Sequence, residues 1–282
     1  MDNFNEYFIQ GEPNKIEKAK AWQIATGLQD IDGLKTSSYL IETAKKNIEG
    51  EINIQEVKSI IHQYYEAQKP TNPNDRTEEA DKVSIRIAEI LGEANFSFSP
   101  IAYLQIHKRL FQDVYDFAGQ IRKNNISKKE AVLNGESVLY GDAQMLMQTL
   151  EYDLQMEKNF SYKGLNSIEI VNHLAEFISA IWQNHIFSEG NTRTTAIFLI
   201  KYLHKLGFKD IDNTLFAENA LYFRNALVRA NYEHVANGIY RTNEFLIKAL
   251  SNLVLGTKHI LKNRDLHIED NTTENIKNKK AR

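Results

Sequence analysis

The chain of 282 residues contains no cysteine. That absence excludes a disulfide framework, a zinc ribbon, an iron–sulfur site and cysteine catalysis, and it fits a reducing compartment. Proline is scarce, with only Pro13, Pro70, Pro73 and Pro100, so long stretches run without a breaker. Neither sign of charge is in excess: 34 Lys and Arg against 37 Asp and Glu leave a formal net charge of −3. Such a balance offers no global attraction to nucleic acid or to an anionic membrane. No apolar run approaches the ~20 residues needed to span a bilayer. The start, MDNFNEYFIQGEPNK, lacks the basic region and following apolar region of a secretion signal. The expectation is a cytoplasmic protein without nucleic-acid or membrane partners; homo-oligomerisation is left open. Hydrophobic residues make up 42% and charged residues 25%, too apolar for global disorder and enough for a full core in one large domain or two small ones.

Most of the chain shows helical periodicity. Ile16, Ala19, Ile24 and Leu28 share a face over 16–31. Ser37 or Ser38 can cap a second helix ending near Gly50, and Asn53 a third with Val57, Ile60, Ile61, Tyr64 and Tyr65 inward. The polar stretch KPTNPNDRTEEA, residues 69–80, reads as a linker to a larger body. In that body Ser99-Pro100 is a strong helix start. Further helices are expected at about 142–156, 167–182, 194–206, 217–232 and 242–255. The AIFLI run within 194–206 predicts a central helix surrounded on all sides. The tail RDLHIEDNTTENIKNKKAR is polar and expected to fray. Residues 130–140, EAVL-NG-ESVLY, differ: β-prone runs flank Asn134-Gly135, a favoured hairpin turn. A lone hairpin has no sheet to join and reads as a flap packed on helices.

The segment His185-Ile186-Phe187-Ser188-Glu189-Gly190-Asn191-Thr192-Arg193 lies between two helical segments and reads as an anion site. A glycine followed by Asn and Thr at a helix start presents unpaired N–H groups to a phosphate. Arg193 in the first turn adds a bidentate cation. Glu189 beside a phosphate site points to Mg2+ shared between protein and phosphates. His185, just before the cradle, is a natural general base, and Phe187 an apolar pin. Each residue also has a structural reading, as a cap, a helix-terminal charge or a core aromatic; the joint arrangement within nine residues favours chemistry.

This segment resembles the signature of the Fic (Fido) family, H-x-F-x-[DE]-G-N-G-R-x-x-R, at His185, Phe187, Glu189, Gly190, Asn191 and Arg193. IHKRLF (106–111) and YDFAGQIR (115–122) are similar to the family's lead into its hairpin, and 130–140 to its flap. The resemblance spans about 80–255. It implies an all-α, Fic-type helical bundle with a β-hairpin flap. It also implies transfer of AMP from ATP, with Mg2+, to a Ser, Thr or Tyr hydroxyl of a target protein. His185 would then be the base, Glu189 the Mg2+ ligand, Gly190, Asn191 and Thr192 the anion hole, and Arg193 the ligand of the leaving phosphates. Val138, Leu139, Tyr140 and Gly141 of the flap would border the nucleotide and align the target. Phe223, Arg224 and Asn231 occupy the part that lines adenine and ribose in relatives, or simply a helix face.

Three positions depart from the signature: Ile186 for the usual proline, Thr192 for glycine, and Ala196 for the second arginine. The last two leave open a Doc-like phosphotransferase or another nucleotidyl transferase, and a nucleotide-binding scaffold with little catalysis. Residues 16–65 resemble the small helical antitoxin that restrains some Fic enzymes. Its [S/T]-x-x-x-E-[G/N] positions are here Leu28, Asp32 and Gly33, so Asp replaces Glu while its usual arginine partner is Ala196. The module is then mainly structural with its brake weakened, or it retains inhibition through a new partner for Asp32, Arg193 being the arginine left in the motif. The expected organisation is an antitoxin-like helical module at 1–68, a linker at 69–80, a Fic catalytic domain at 81–256 and a polar tail at 257–282.

Overall fold

The computed structural model describes residues 3–68, 74–208, 211–212 and 214–268. Twelve α-helices appear among them: α1 (Asn5–Gln10), α2 (Pro13–Gly27), α3 (Ser38–Glu49), α4 (Ile54–Ala67), α5 (Thr77–Gly92), α6 (Pro100–Phe111), α7 (Leu146–Asn159), α8 (Ser167–Asn184), α9 (Asn191–Lys205), α10 (Thr214–Glu218), α11 (Ala220–Ala230) and α12 (Glu244–Leu255). No strand occurs among the described residues; His234 and Ile239 form one isolated bridge. No described helix is long and apolar enough to cross a membrane.

Local chemistry sets the helix starts. Ser37 Oγ accepts the Leu40 N–H at 2.9 Å, and Ser99 Oγ accepts that of Ala102 ahead of Pro100. Asn53 with Glu56, and Asn166 with Glu169, close reciprocal capping boxes. Helix α5 begins at Thr77, inside the span read as linker; residues 69–73 of that span lie outside the described residues.

The chain groups into two compact units. The first comprises 1–121 and 187–221, the second 122–186 and 222–282. Helix α2 packs along α5 within the first unit. Buried Asp81 of α5 reinforces this: it accepts the Ser37 N–H (2.8 Å), the Ser37 hydroxyl and the Tyr65 hydroxyl (2.8 Å). Ser84 of α5 also donates to the Ala25 carbonyl of α2 at 3.1 Å. Helix α9 is buried at every residue from Asn191 to Leu203, as the AIFLI run predicts. Even Lys201 is inside, its Nζ donating to the carbonyls of Ile90 and Glu93.

In the second unit α8 packs on α12 and α7. The β-hairpin flap expected at 130–140 is not seen. The tight turn does form, with Asn134 (φ 54°) and Gly135 (φ 89°) both left-handed. The arm before it, however, folds into a 3-10 turn, Ala131–Leu133, that buries Val132 and Leu133. The Val132 carbonyl accepts the Ile268 N–H at 2.9 Å instead of a partner across the turn. Burying two apolar side chains outweighs a two-stranded ladder, which is marginal by itself. The same contact changes the expected tail: Leu266 is buried and 264–268 is anchored, while 269–282 lies outside the described residues.

Candidate active site

The segment 185–193 begins at the C-terminus of α8 and ends in the first turn of α9. The chain passes from the second unit to the first between Ile186 and Phe187, so the two parts are taken in turn.

In the second unit His185 is the C-cap of α8 and adopts φ 46°, ψ 56°, a left-handed conformation unusual for a residue with a side chain. Arg122 holds it there. Its Nε donates to the His185 carbonyl at 2.7 Å, Nη2 to the carbonyls of Asn184 and Gly141, and Nη1 to that of Asn124 at 2.6 Å. The Arg122 N–H also donates to the Ile186 carbonyl at 2.9 Å. One guanidinium thus satisfies the orphan carbonyls of a helix end and ties them to the residues after the Asn134 turn. The His185 ring packs on Tyr140 (centroids 4.2 Å apart) and Trp182 (5.3 Å). It is buried, and its Nδ1 has no hydrogen-bond partner among the described residues. Burial first, then the positive charges of Lys128, Arg122 and Arg224, push its basicity well below the ordinary histidine value. His185 is therefore neutral at pH 7, the form a general base requires.

The other residues read as nucleotide-lining belong to this unit. Tyr140 donates its hydroxyl to Glu130 Oε1 at 3.1 Å, and Arg224 Nη2 stands 2.7 Å from Glu130 Oε2. Val138 and Phe223 are buried, and Leu139 is 79% exposed. Gly141 donates its N–H to the Gln183 carbonyl at 3.1 Å. The Asn231 amide clasps α8 to α11 through Ser179 and Leu227.

In the first unit Phe187 is buried and stacks on His107, centroids 3.6 Å apart. His107 Nδ1 accepts the Gly119 N–H at 2.8 Å, which leaves the proton on Nε2 to bond the Glu189 carbonyl at 3.0 Å. Burial, the largest influence, lowers the His107 pKa to about 4, so this clamp on the motif loop is neutral. Asn191 turns its side chain back to the loop, accepting the Phe187 N–H at 2.9 Å and donating to its carbonyl at 2.7 Å. Gly190 has φ 77°, and a Cβ there would collide with the Phe111 ring, so glycine meets two demands at once. The α9 ladder opens with the Thr194 N–H on the Gly190 carbonyl, and by helix geometry the preceding N–H groups have no partner within α9. Asn191 and Thr192 are buried; Glu189 is exposed.

Arg193 is 1% exposed and lies over the Phe111 ring at 4.7 Å. Its Nη2 meets Asp32 Oδ2 at 2.8 Å, Glu79 Oε1 at 3.1 Å and the Tyr115 hydroxyl at 3.4 Å. Its Nη1 donates to Gln29 at 3.0 Å. Asp32 ends a 3-10 turn, Leu28–Asp32, that Gly33 closes at φ 67°. The partner that the sequence left for Asp32 is the one it has. Burial works to raise the Glu79 carboxyl, but hydrogen bonds from Arg76, Tyr115 and Arg193 and the charge of Arg193 hold it below its ordinary value. Glu79, Gln29, Tyr115, His107 and Arg122 had no role in the sequence reading. The last three lie in the family-like stretches 106–111 and 115–122.

Residues 97–203 match the model of the Fic/DOC family, whose members are typically transferases. The match runs from just before α6 through most of α9 and includes the whole 185–193 segment.

Proposed function

We propose that this protein transfers the AMP group of ATP to a hydroxyl side chain of a target protein, itself included, and that its N-terminal helices restrain the reaction through Asp32. The observation that carries the reading is the segment His185 to Arg193 within a Fic/DOC match. In this reading the target hydroxyl oxygen attacks the α-phosphorus and gives its proton to neutral His185. The bond from that phosphorus to the bridging oxygen breaks, and pyrophosphate leaves. The N-terminal N–H groups of α9 and the Arg193 guanidinium stabilise the charge on the phosphates.

Glu189 suits Mg2+. It is an exposed hard oxygen donor, and Mg2+ takes one or two carboxylates plus phosphate oxygens and water. The ion would neutralise charge on the phosphates when bound.

The ion pair of Asp32 with Arg193 supports the restraint, because a carboxylate there competes with phosphate for the same guanidinium. Thr192 and Ala196 favour a second reading, transfer of the γ-phosphate in the Doc manner. Incubation with ATP labelled at the α- or the γ-phosphate, followed by mass spectrometry of the protein, decides between them. Label from the α-phosphate supports AMP transfer, label from the γ-phosphate alone replaces it with phosphotransfer, and no label with nucleotide bound leaves a scaffold.

A further inference from the structure

Arg193 shares its acceptors with a second guanidinium that comes from outside the family match. Arg76 precedes α5 in the NDRTEEA stretch read from the sequence as linker. Its Nε and Nη2 grip Glu79 bidentately at 2.8 Å each, and Nη2 reaches the Tyr115 hydroxyl at 3.2 Å. Arg193 Nη2 approaches the same Glu79 Oε1 and the same Tyr115 hydroxyl. Two guanidiniums therefore converge on two shared oxygens, and Asp32 Oδ2 closes the cluster against Arg193.

We propose that Arg76 and Arg193 together bind the terminal phosphates of a nucleoside triphosphate, with Arg76 supplying the second guanidinium that Ala196 lacks; the proposal rests on the nucleotide-transferase reading. Four features carry it. The cluster is charge-balanced as it stands, two guanidiniums against Glu79 and Asp32, so displacing Asp32 leaves one positive charge. The two carboxylates are not equivalent: Glu79 is nearly buried and bound by three donors, whereas Asp32 is more exposed, its ion pair among the described residues is with Arg193, and its charge also reaches Arg76. Asp32 is thus the exchangeable anion, and Glu79 the fixed spacer that sets the two guanidiniums side by side. Arg193 Nε is buried without a hydrogen-bond partner among the described residues, so the binding capacity of that side chain is not saturated. Arg76 is 44% exposed, and no described residue accepts from its Nη1, so it can take a phosphate oxygen without leaving Glu79. Guanidinium–phosphate bonds of this forked kind are among the stronger charge-assisted contacts.

The test uses the full chain carrying Asp32→Gly. Calorimetric titration with ATP, ADP and AMP in Mg2+ compares that protein with versions that also carry Arg76→Gln, Arg76→Lys or Arg193→Gln. Arg76→Gln is expected to weaken ATP roughly tenfold, the scale of one hydrogen bond to a charged group, while AMP changes less than about twofold and Arg76→Lys recovers part of the loss. If Arg193→Gln weakens ATP and Arg76→Gln does not, Arg76 is only a clamp on Glu79, and the nucleotide reading stands without this proposal. Equal loss of ATP and AMP with a lower unfolding temperature also overturns it. Failure of the Asp32→Gly protein to bind any nucleotide removes the underlying reading and the proposal with it. Should Arg76→Gln not fold, Glu79→Gln keeps both guanidiniums and one acceptor while removing the shared charge. ATP should then bind several-fold tighter, and unchanged or weaker binding counts against the pair.

Discussion

Asp32 Oδ2 and Arg193 Nη2 stand 2.8 Å apart, and the arginine has almost no contact with solvent. A residue read as phosphate-binding is thus held by a carboxylate from the N-terminal helices. Removing that carboxylate by Asp32→Gly should raise self-modification about fivefold, corresponding to ~1 kcal/mol for a partly exposed ion pair. The gain stays limited because Glu79 remains on the same Nη2. Parallel rates of self-modification for the wild type and the variant check this; equal rates would make the contact purely structural.

His185→Ala should lower transfer by about 10²–10⁴, the usual range for a lost general base, while nucleotide affinity changes little. Because burial and nearby cations depress the His185 pKa well below its ordinary value, the base stays neutral as pH falls through 6.5. The acid limb of kcat/KM should therefore lie below pH 6.5. A limb centred at or above that pH would assign the base elsewhere.

Glu189→Gln should weaken nucleotide binding in Mg2+ and leave binding in EDTA unchanged, since the substitution removes a hard anionic donor without changing size. Titrations with and without the ion separate the two. The same loss in both conditions would indicate a role in loop structure.

His107 carries a pH signature of folding. Its folded pKa is about 4 against an ordinary 6.5, so between those values the unfolded chain binds the extra proton. Stability should fall as pH drops through that window, by up to roughly 1.4 kcal/mol per pH unit from this group. Urea unfolding at a series of pH values measures the slope. His107→Gln, which offers one donor and one acceptor without titrating, should make it shallower.

Arg122→Lys retains a charge but cannot serve four carbonyls in a plane. It should destabilise by about 2 kcal/mol through unsatisfied buried carbonyls. Activity should fall as His185 relaxes from its left-handed conformation. Thermal unfolding and transfer rate should both drop; full activity in a destabilised protein would uncouple Arg122 from the orientation of His185.

Much of the local architecture was legible in the sequence. Ser37, Asn53 and Ser99 cap where expected, because a capping side chain bonds backbone only two or three residues away. Asn134-Gly135 takes its left-handed turn for the same local reason. The short helix α1 was not read, having little room for periodicity, and the arms of the turn, joined by a backbone bond from the Glu130 N–H to the Glu136 carbonyl at 2.9 Å, form no strand. Val132 and Leu133 found burial in the second unit, and the Val132 carbonyl found Ile268, which no local pattern could indicate.

The amino-acid sequence by itself determined the helical class, the capped helix starts at Ser38, Ile54, Pro100 and Ser167, and the order of histidine, carboxylate, glycine turn and arginine along 185–193. The resemblance of residues 16–65 to an antitoxin module also made Arg193 one partner open to Asp32, since Ala196 has no charge to offer. Tertiary structure decided which groups surround that arginine and what holds the histidine. Gln29, Asp32, Arg76, Glu79 and Tyr115 come from separate stretches of the chain and converge on Arg193 only because α2, α5 and α9 pack within one unit. Arg122 reaches across more than sixty residues to the end of α8. Caps and periodicity are local interactions written in neighbouring residues. A buried charge takes its partners from whatever packing brings within about 3 Å, because leaving it unpaired in low dielectric costs more than any local preference returns.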